Sequence, residues 1–467
     1  MTGTRWRNWS RTVEAAPATV AVPRDEAEVA AVVARAAATG RTVRPLGSGH
    51  SGSPVAAGDD VCLRLTHLDA VRPVDLARGL VAVGAGTRLD ALSAALLRHG
   101  LAVANLGDID RQTLAGALAT GTHGTGAAHP SLAGGVRALR MVLADGSVAT
   151  CSPRERPELF AAALVGLGAY GVVTEVLLHC PPAFLLAADE HLEPLDAVLD
   201  GFEQRMTATD HVEFYWFPHT GAAMVKENTR RPLSAGAEPL PRWRALLDDE
   251  VVANGLFAAT CAAGTLLPGL VPTINRLSTR AVSRRRYTDL SHGVFTSRRR
   301  VRFREMEYAL PRADLPEVLR EVRRLIDLRG WRLPFPLEAR VSAPEDAWLS
   351  PGHGRATAWL SVQQVAGAPF VDYLTGVEEV LVAAQGRPHW GKLHTRTARD
   401  LAPLYPRFAD AQRVREAVDP AGTFASGHLD RVLGRPATAA GGGRSARPGG
   451  SCGDTLPGRR RDVPQRA

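Results

Sequence analysis

"RTVRPLGSGHSGSPV", Arg41 to Val55, decides how the first third of this chain is read. "RTVRPL" has the look of a short strand, and the glycines and serines that follow close around one histidine, His50. A turn that only reverses the chain has no use for an imidazole at its centre. Gly47, Gly49 and Gly52 spell G-x-G-x-x-G, but that fingerprint marks dinucleotide binding only where it opens a helix after a strand. Here "SPVAAGDD" and a second strand pattern, "VCLRLTHL", come next. The reading that fits is a nest of consecutive backbone N–H groups, free of bulky side chains, able to hold a pyrophosphate without a helix.

Working outward, "PRDEAEVAAVVARAAATG" predicts a helix, with Val29, Val32, Val33 and Ala36 on one face, acids in the first turn and Gly40 at the end. "LVAVGAGTRLDALSAALLRHG" predicts strand, glycine turn and a helix closed by Gly100, and "VRALRMVLADGSVATCS" a hairpin over "ADG". A second Gly-rich run, "NLGDIDRQTLAGALATGTHGTG" (Asn105 to Gly126), alternates Thr113, Thr120, Thr122 and Thr125 with Gly116, Gly121, Gly124 and Gly126. Small residues let backbone approach a flat ligand, and the hydroxyls serve its polar edge. Two such loops, with no helix-based phosphate site, point to a large nucleotide cofactor, flavin first.

The middle of the chain differs. "HVEFYWFPHTGAAMVKENTR" predicts an aromatic strand followed by polar turns, and "VRFREMEYALPRADLPEVLREVRRLIDLRGWRLPFPLEARVSA" predicts strand, helix, strand. The pattern is a second α+β unit. The apolar segment 251–274 is broken by Asn254, Pro268 and Pro272. It reads as a buried or interfacial helix rather than a membrane span, so peripheral membrane contact is kept as an expectation.

Composition excludes some classes. The net charge is +8, but the tail from Arg435 to Ala467, with seven arginines and two aspartates, supplies +5 of it. That excess lies in a Gly/Pro/Arg-rich segment and not on a patterned face, which argues against nucleic-acid binding. The five cysteines, Cys62, Cys151, Cys180, Cys261 and Cys452, have neither metal-ligand spacing nor a disulfide framework. Free thiols in a reducing cytoplasm and no metal are the expectation. Of 56 basic residues only Lys226 and Lys392 are lysines. Lysine is a point charge where arginine is a planar fork, but for Lys226 alone genomic arginine bias suffices.

Six segments then occur in one order: "RPLGSGHS", "TLAGALATGTHGTG", "LGAYGVVTEV", "FPLEARVSAPEDAWLSP", "GRPHWGKLH" and "DPAGTF". In order and spacing they resemble the aldonolactone oxidoreductases, the gulonolactone and arabinonolactone oxidases and their dehydrogenase relatives, with the alditol oxidases as close kin. All are FAD enzymes of the vanillyl-alcohol-oxidase type. The resemblance implies an α+β fold of two domains: an FAD-binding domain over 1–182 and a substrate domain with a mixed or antiparallel sheet over 183–407. Residues 408–434 would return to the FAD domain, leaving 435–467 as a disordered tail.

The resemblance also assigns residues. His50 would bond covalently to the flavin, within a cofactor set of Leu46, Gly47, Ser48, Gly49, His50, Ser51, Asn105, Gly107, Asp108, Thr113, Gly116, Thr120, His123, Gly124, Val172 and Val173. Gly107 would sit over the reactive edge of the ring as an oxygen gatekeeper, favouring an oxidase. Glu338 and Arg340 lie two apart on a strand and so face one side. There a carboxylate can take the substrate's hydroxyl proton, and a guanidinium can steady the oxyanion or enolate that develops. Lys392 would favour reduced flavin. Asp108, Gln363 and His389 would contact substrate or orient Lys392.

The implied reaction is oxidation of a sugar-derived lactone by hydride transfer to flavin N5, with O2 or another acceptor restoring the flavin. The alternatives are an alditol oxidase using the same machinery and a noncatalytic flavin-binding module. Lactone-acting relatives usually read "YGRD" where this chain reads "HGRA" (His353 to Ala356), and often histidine where it has Gln363. Those departures predict lost polar groups beside the substrate and a shift in specificity.

Overall fold

The computed structural model describes residues 5–241, 243, 255, 257–297 and 300–436. Its first section is assembled from strands that bury apolar side chains on small sheets. Val43–Leu46 and Thr19–Ala21 flank Val61–Arg64 in a parallel three-stranded sheet. Glu26–Ala38 covers it, its N-terminus capped by the Asp25 carboxylate accepting from the Glu28 amide at 2.9 Å. A second sheet runs Val71–Asp75, Leu80–Gly84, Val172–His179, Val136–Val142, Val148–Cys151, all antiparallel. Val43–Leu46, Val61–Arg64, Leu80–Gly84, the hairpin of Val136–Val142 with Val148–Cys151, and the helix Leu89–Leu97 fall where the residue patterns put them; Thr19–Ala21, Val71–Asp75 and Val172–His179 are strands that those patterns had not marked.

The second section is one eight-stranded antiparallel sheet: Arg285–Leu290, Phe184–Pro194, Ala222–Pro232, His211–Trp216, Leu337–Ser342, Thr357–Val365, Phe303–Pro311, Arg387–Pro388. Period-two alternation gives it two different faces. Val212, Phe214 and Trp216, with Met306, Tyr308 and Leu310, Leu337, Ala339 and Val341, and Leu360 and Val362, form a single apolar core with the helices on one side. Leu315–Arg329 supplies Leu315, Val318, Leu319, Val322 and Ile326 to it and ends on Gly330 in the left-handed region (φ 66°). Each such side chain contributes about 1.5–3 kcal/mol on burial. The intervening residues, Glu213, Tyr215, Glu305, Glu307, Glu338, Arg340, Ser361 and Gln363, necessarily point the other way, toward the first section.

The C-terminal helices Phe408–Val418 and Gly427–Leu433 share the first section's main core. The Val43 amide donates to Thr423 O at 2.7 Å, and Tyr170 Oη to Ala411 O at 3.1 Å.

Three sequence expectations are corrected. The second Gly-rich run is not all loop: Leu114–Thr120 is a seven-residue helix, ended by Gly121 at φ 76°. "AAMVKENTR" is not a string of turns but part of the eleven-residue strand Ala222–Pro232, paired along its length with Phe184–Pro194 on one side and with His211–Trp216 on the other. Within the apolar segment, the described part is two helices, Phe257–Leu266 and Val271–Ala281. The rest of that segment, 251–254 and 256, and the tail beyond 436 lie outside the described residues. No helix among the described residues is long and apolar enough to cross a membrane.

Candidate active site and cofactor cavity

A cavity of about 410 Å³ opens in the first section, lined by Leu46 to Ser51, Thr113, Gly116, Thr120 and Val173. Beneath the polar face of the large sheet lies a chamber of about 100 Å³, lined by Gly107, Asp108, His123, Glu305, Glu307, Glu338, Arg340, Gln363, His389 and Lys392. His50, Ser51, Gln112 and Thr120 line both. Three expected cofactor residues stand behind the walls. Asn105 Nδ2 donates to Thr125 O at 3.2 Å, and a Cβ on Gly124 would sit 2.3 Å from both Asn105 Oδ1 and Leu106 O. Val172 is core.

The cavity fits a flat, extended ligand. A Cβ on Gly47 would lie 2.4 Å from Thr113 Oγ1, so the two Gly-rich loops meet through it. Gly49 takes φ +73°, which side chains rarely adopt. Neither ring nitrogen of His50 has a hydrogen-bond partner among the described residues, and its Nδ1 is buried. Burial, then the Lys392 charge, holds the imidazole below its ordinary pKa and therefore neutral. An unpartnered neutral imidazole at the junction of cavity and chamber suits attachment of a cofactor.

In the chamber Arg340 is the hub. Its Nε donates to Glu213 Oε2 at 2.8 Å, and its Nη2 meets both Asp108 and Glu338. Nη1, with no hydrogen bond to the described protein, is left for a ligand. Tyr215 Oη donates to Glu338 Oε1 at 2.9 Å. At the other end Lys392 Nζ pairs with Glu305, whose Oε1 accepts from Ser361 Oγ at 2.7 Å and Gln363 Nε2 at 3.3 Å. Burial disfavours the Lys392 cation, but Glu305 and Glu307 outweigh that and raise its pKa.

His389 does not touch the Lys392 ammonium. It is buried, its Nδ1 accepts from the Gly391 amide at 3.0 Å, and burial lowers its pKa to about 3. Glu307 meets His123 Nε2 at 3.3 Å, and His123 stacks on Trp359 with centroids 3.7 Å apart.

Glu338 and Arg340 are 7% and 8% exposed, which excludes a surface ion pair. Lys226 is corrected too: its Nζ lies 2.7 Å from Glu213 Oε1, so both lysines of the chain are ion-paired at this site. Sequence reasoning missed Glu213, Tyr215, Glu305 and Glu307. The signal for them was polar residues at alternate positions, His211, Glu213 and Tyr215 in "HVEFYW" and Glu305 and Glu307 in "FREMEY". Of the expected departures only Gln363 lines the chamber. His353 is drawn away because Arg387 Nη1 donates to Pro351 O and His353 O at 3.1 and 2.8 Å. A Cβ on Gly107 would face the His123 carbonyl oxygen at 2.8 Å and not open space.

A Gly-rich cofactor cavity that meets a buried carboxylate–guanidinium chamber defines an FAD-linked oxidoreductase acting on a CH–OH donor. Comparison with known proteins agrees. A family profile described as D-arabinono-1,4-lactone oxidase matches residues 176–432, and one described as FAD binding domain matches residues 17–152. An L-gulono-1,4-lactone dehydrogenase of Mycobacterium tuberculosis is 38% identical over 92% of this chain and 99% of its own length. L-gulonolactone oxidase of Bos taurus is 32% identical over 92% and 98%, and an alditol oxidase of a Streptomyces species 33% over 91% and 98%. In fold, the cholesterol oxidase of B. sterolicum superposes with a TM-score of 0.77 at 21% identity, over 92% of this chain and 97% of that one. The chain belongs to the D-arabinono-1,4-lactone oxidase family.

Proposed function

We propose that this protein oxidises a sugar-derived aldono-1,4-lactone of the D-arabinono or L-gulono type, at the hydroxyl-bearing carbon beside the lactone carbonyl. The observation that carries this is the Arg340 guanidinium, buried between Glu338 and Asp108 with its Nη1 unclaimed. Glu338 takes the hydroxyl proton, and Nη1 steadies the charge that develops on oxygen. Asp108 and Gln363 are placed on the chamber wall to hold the polyol hydroxyls. FAD would be held by the Leu46–Ser51 loop and by a covalent bond to His50, and would supply a two-electron acceptor for the carbinol hydride, with O2 or another carrier as the final acceptor. Lys392, locked by Glu305, keeps a positive charge at that end of the chamber.

The test is an anaerobic visible spectrum before and after adding L-gulono- or D-arabinono-1,4-lactone. Bleached flavin bands are expected. Bleaching by xylitol or sorbitol alone would select an alditol oxidase. A flavin that none of them reduces would leave a noncatalytic flavin-binding module.

Peripheral membrane contact belongs to the same reading, through the turn after Phe257–Leu266. Leu266, Leu267 and Leu270 are 80%, 58% and 48% exposed, and Leu277 beyond them 58%. From Phe257 to Arg286 the chain has five arginines and no acid. Arg276 and Arg280 are exposed without a carboxylate partner among the described residues. Protruding leucines beside unpaired cations suit an anionic lipid surface.

A further inference from the structure

Three carboxylates, Asp108, Glu213 and Glu338, offer oxygens within 4.8 Å of one another. Among the described residues two cations form ion pairs with them. Arg340 touches all three, and Lys226 touches only Glu213. Lys226 lines neither the cavity nor the chamber. It stands on Ala222–Pro232 with Glu213 opposite it on one neighbouring strand and Glu190 on the other. Glu190 has its own cation, Arg285 at 2.6 Å, and accepts from Tyr287 Oη at 3.1 Å. The ion pair of Lys226 is with Glu213, at 2.7 Å.

We propose that Lys226 is a positioning residue for the reaction: by keeping Glu213 ionised, it holds Arg340 by its Nε and leaves Glu338 as the carboxylate that takes the substrate proton. This rests on the roles given above to Glu338 and Arg340. The geometry supplies the reason. Glu213 divides its two oxygens, Oε2 accepting from Arg340 Nε at 2.8 Å and Oε1 meeting Lys226 Nζ at 2.7 Å. Tyr215 has one hydroxyl proton and three carboxylate oxygens in reach: Glu338 at 2.9 Å, Glu213 at 3.2 Å and Asp108 at 3.5 Å. While Lys226 satisfies Glu213, that proton is given to Glu338, the shortest of the three.

Without Lys226, the buried Glu213 and Glu338 and the partly buried Asp108 would crowd around one guanidinium, and like charges so placed cannot all stay ionised. One would take up a proton, compete for Tyr215 and loosen the Nε tether. Burial acts against the charged ammonium, yet Glu213 and Glu190 more than reverse it, so Lys226 stays protonated through the working range. Burial likewise pushes Glu213 up, and Lys226 and Arg340 bring it below its usual value.

The test uses the flavin-loaded full chain as wild type, Lys226→Met, Lys226→Arg and Tyr215→Phe. In Lys226→Met the acid limb of the anaerobic lactone-reduction rate should move up by about one pH unit, the scale of a neighbouring charge. Its infrared spectrum at neutral pH should gain a protonated-carboxyl band that shifts in D2O. Lys226→Arg should restore both to the wild-type pattern. Tyr215→Phe, which strips a donor from Glu338, should raise the acid limb even if Lys226→Met does not fold. An unchanged acid limb and no new carboxyl band in Lys226→Met would overturn the proposal, whatever the melting temperature. If no lactone or polyol reduces the wild type, the substrate reading fails, and the infrared comparison still decides the role of Lys226.

Discussion

Replacing Arg340 with methionine removes one side chain and leaves the buried Glu213 and Glu338 and the partly buried Asp108 without the guanidinium that all three meet. Breaking a buried ion pair by deleting one partner costs about 3–5 kcal/mol. At about 2–4 °C per kcal/mol for a domain of this size, the melting temperature should fall by roughly 6–20 °C at pH 8. The loss should be smaller at pH 5, and the sign follows from proton linkage. In the wild type Glu213 is held below its usual value. Its contribution to stability is therefore present above the unfolded carboxyl pKa of about 4.3 and lost as pH falls through the folded value. In the variant the crowded carboxylates lose the guanidinium, and mutual repulsion makes the native state take up a proton that the unfolded chain does not hold at the same pH. Its stability must then fall as pH rises.

Catalysis should suffer independently, since losing one preorganised donor to a developing oxyanion costs about 10²–10³ in rate. The assays are melting curves from pH 5 to 8, followed by flavin fluorescence, and stopped-flow anaerobic reduction at fixed pH. Wild-type and variant melting curves that stay parallel across pH would refute the electrostatic account. A wild-type reduction rate would refute the role of Arg340 in the reaction.

His50→Ala should still bind FAD in the cavity but release all of it on acid precipitation, whereas wild-type precipitate should stay yellow. Release from the wild type as well would exclude the covalent bond. Gly124→Ala drives a Cβ to 2.3 Å from Asn105 Oδ1 and Leu106 O. Overpacking of that kind costs about 1–3 kcal/mol, so a lowered melting temperature and reduced flavin content are expected, and unaltered values of both would show that the loop gives way. Leu266→Asp with Leu270→Asp should abolish co-sedimentation with phosphatidylglycerol vesicles while leaving lactone reduction unchanged. A wild type that stays in the supernatant with those vesicles at low salt would end the membrane reading, and concentration-dependent dimerisation lost in the same variant would assign the patch to a second copy.

Several strands and helices of the first section are local, and the residues alone declare them, although the helix Leu114–Thr120 lay hidden among its glycines and threonines. Glu26–Ala38 begins where Asp25 caps it, and the hairpin turns where "ADG" allows it. The same holds for the same-side placement of Glu338 and Arg340, a consequence of strand period two, and for the small-residue loops around His50. What the sequence by itself could not determine was which charges meet. Lys226 and Glu213 are thirteen positions apart and become neighbours only by register, Glu305 and Lys392 are eighty-seven apart, and Asp108 reaches Arg340 across 232. A lone glutamate in a strand pattern reads as a solvated side chain, because its sequence neighbours carry no sign of the facing domain. Only the closed tertiary structure removes the water, and in that dry space each buried charge has to be answered by another.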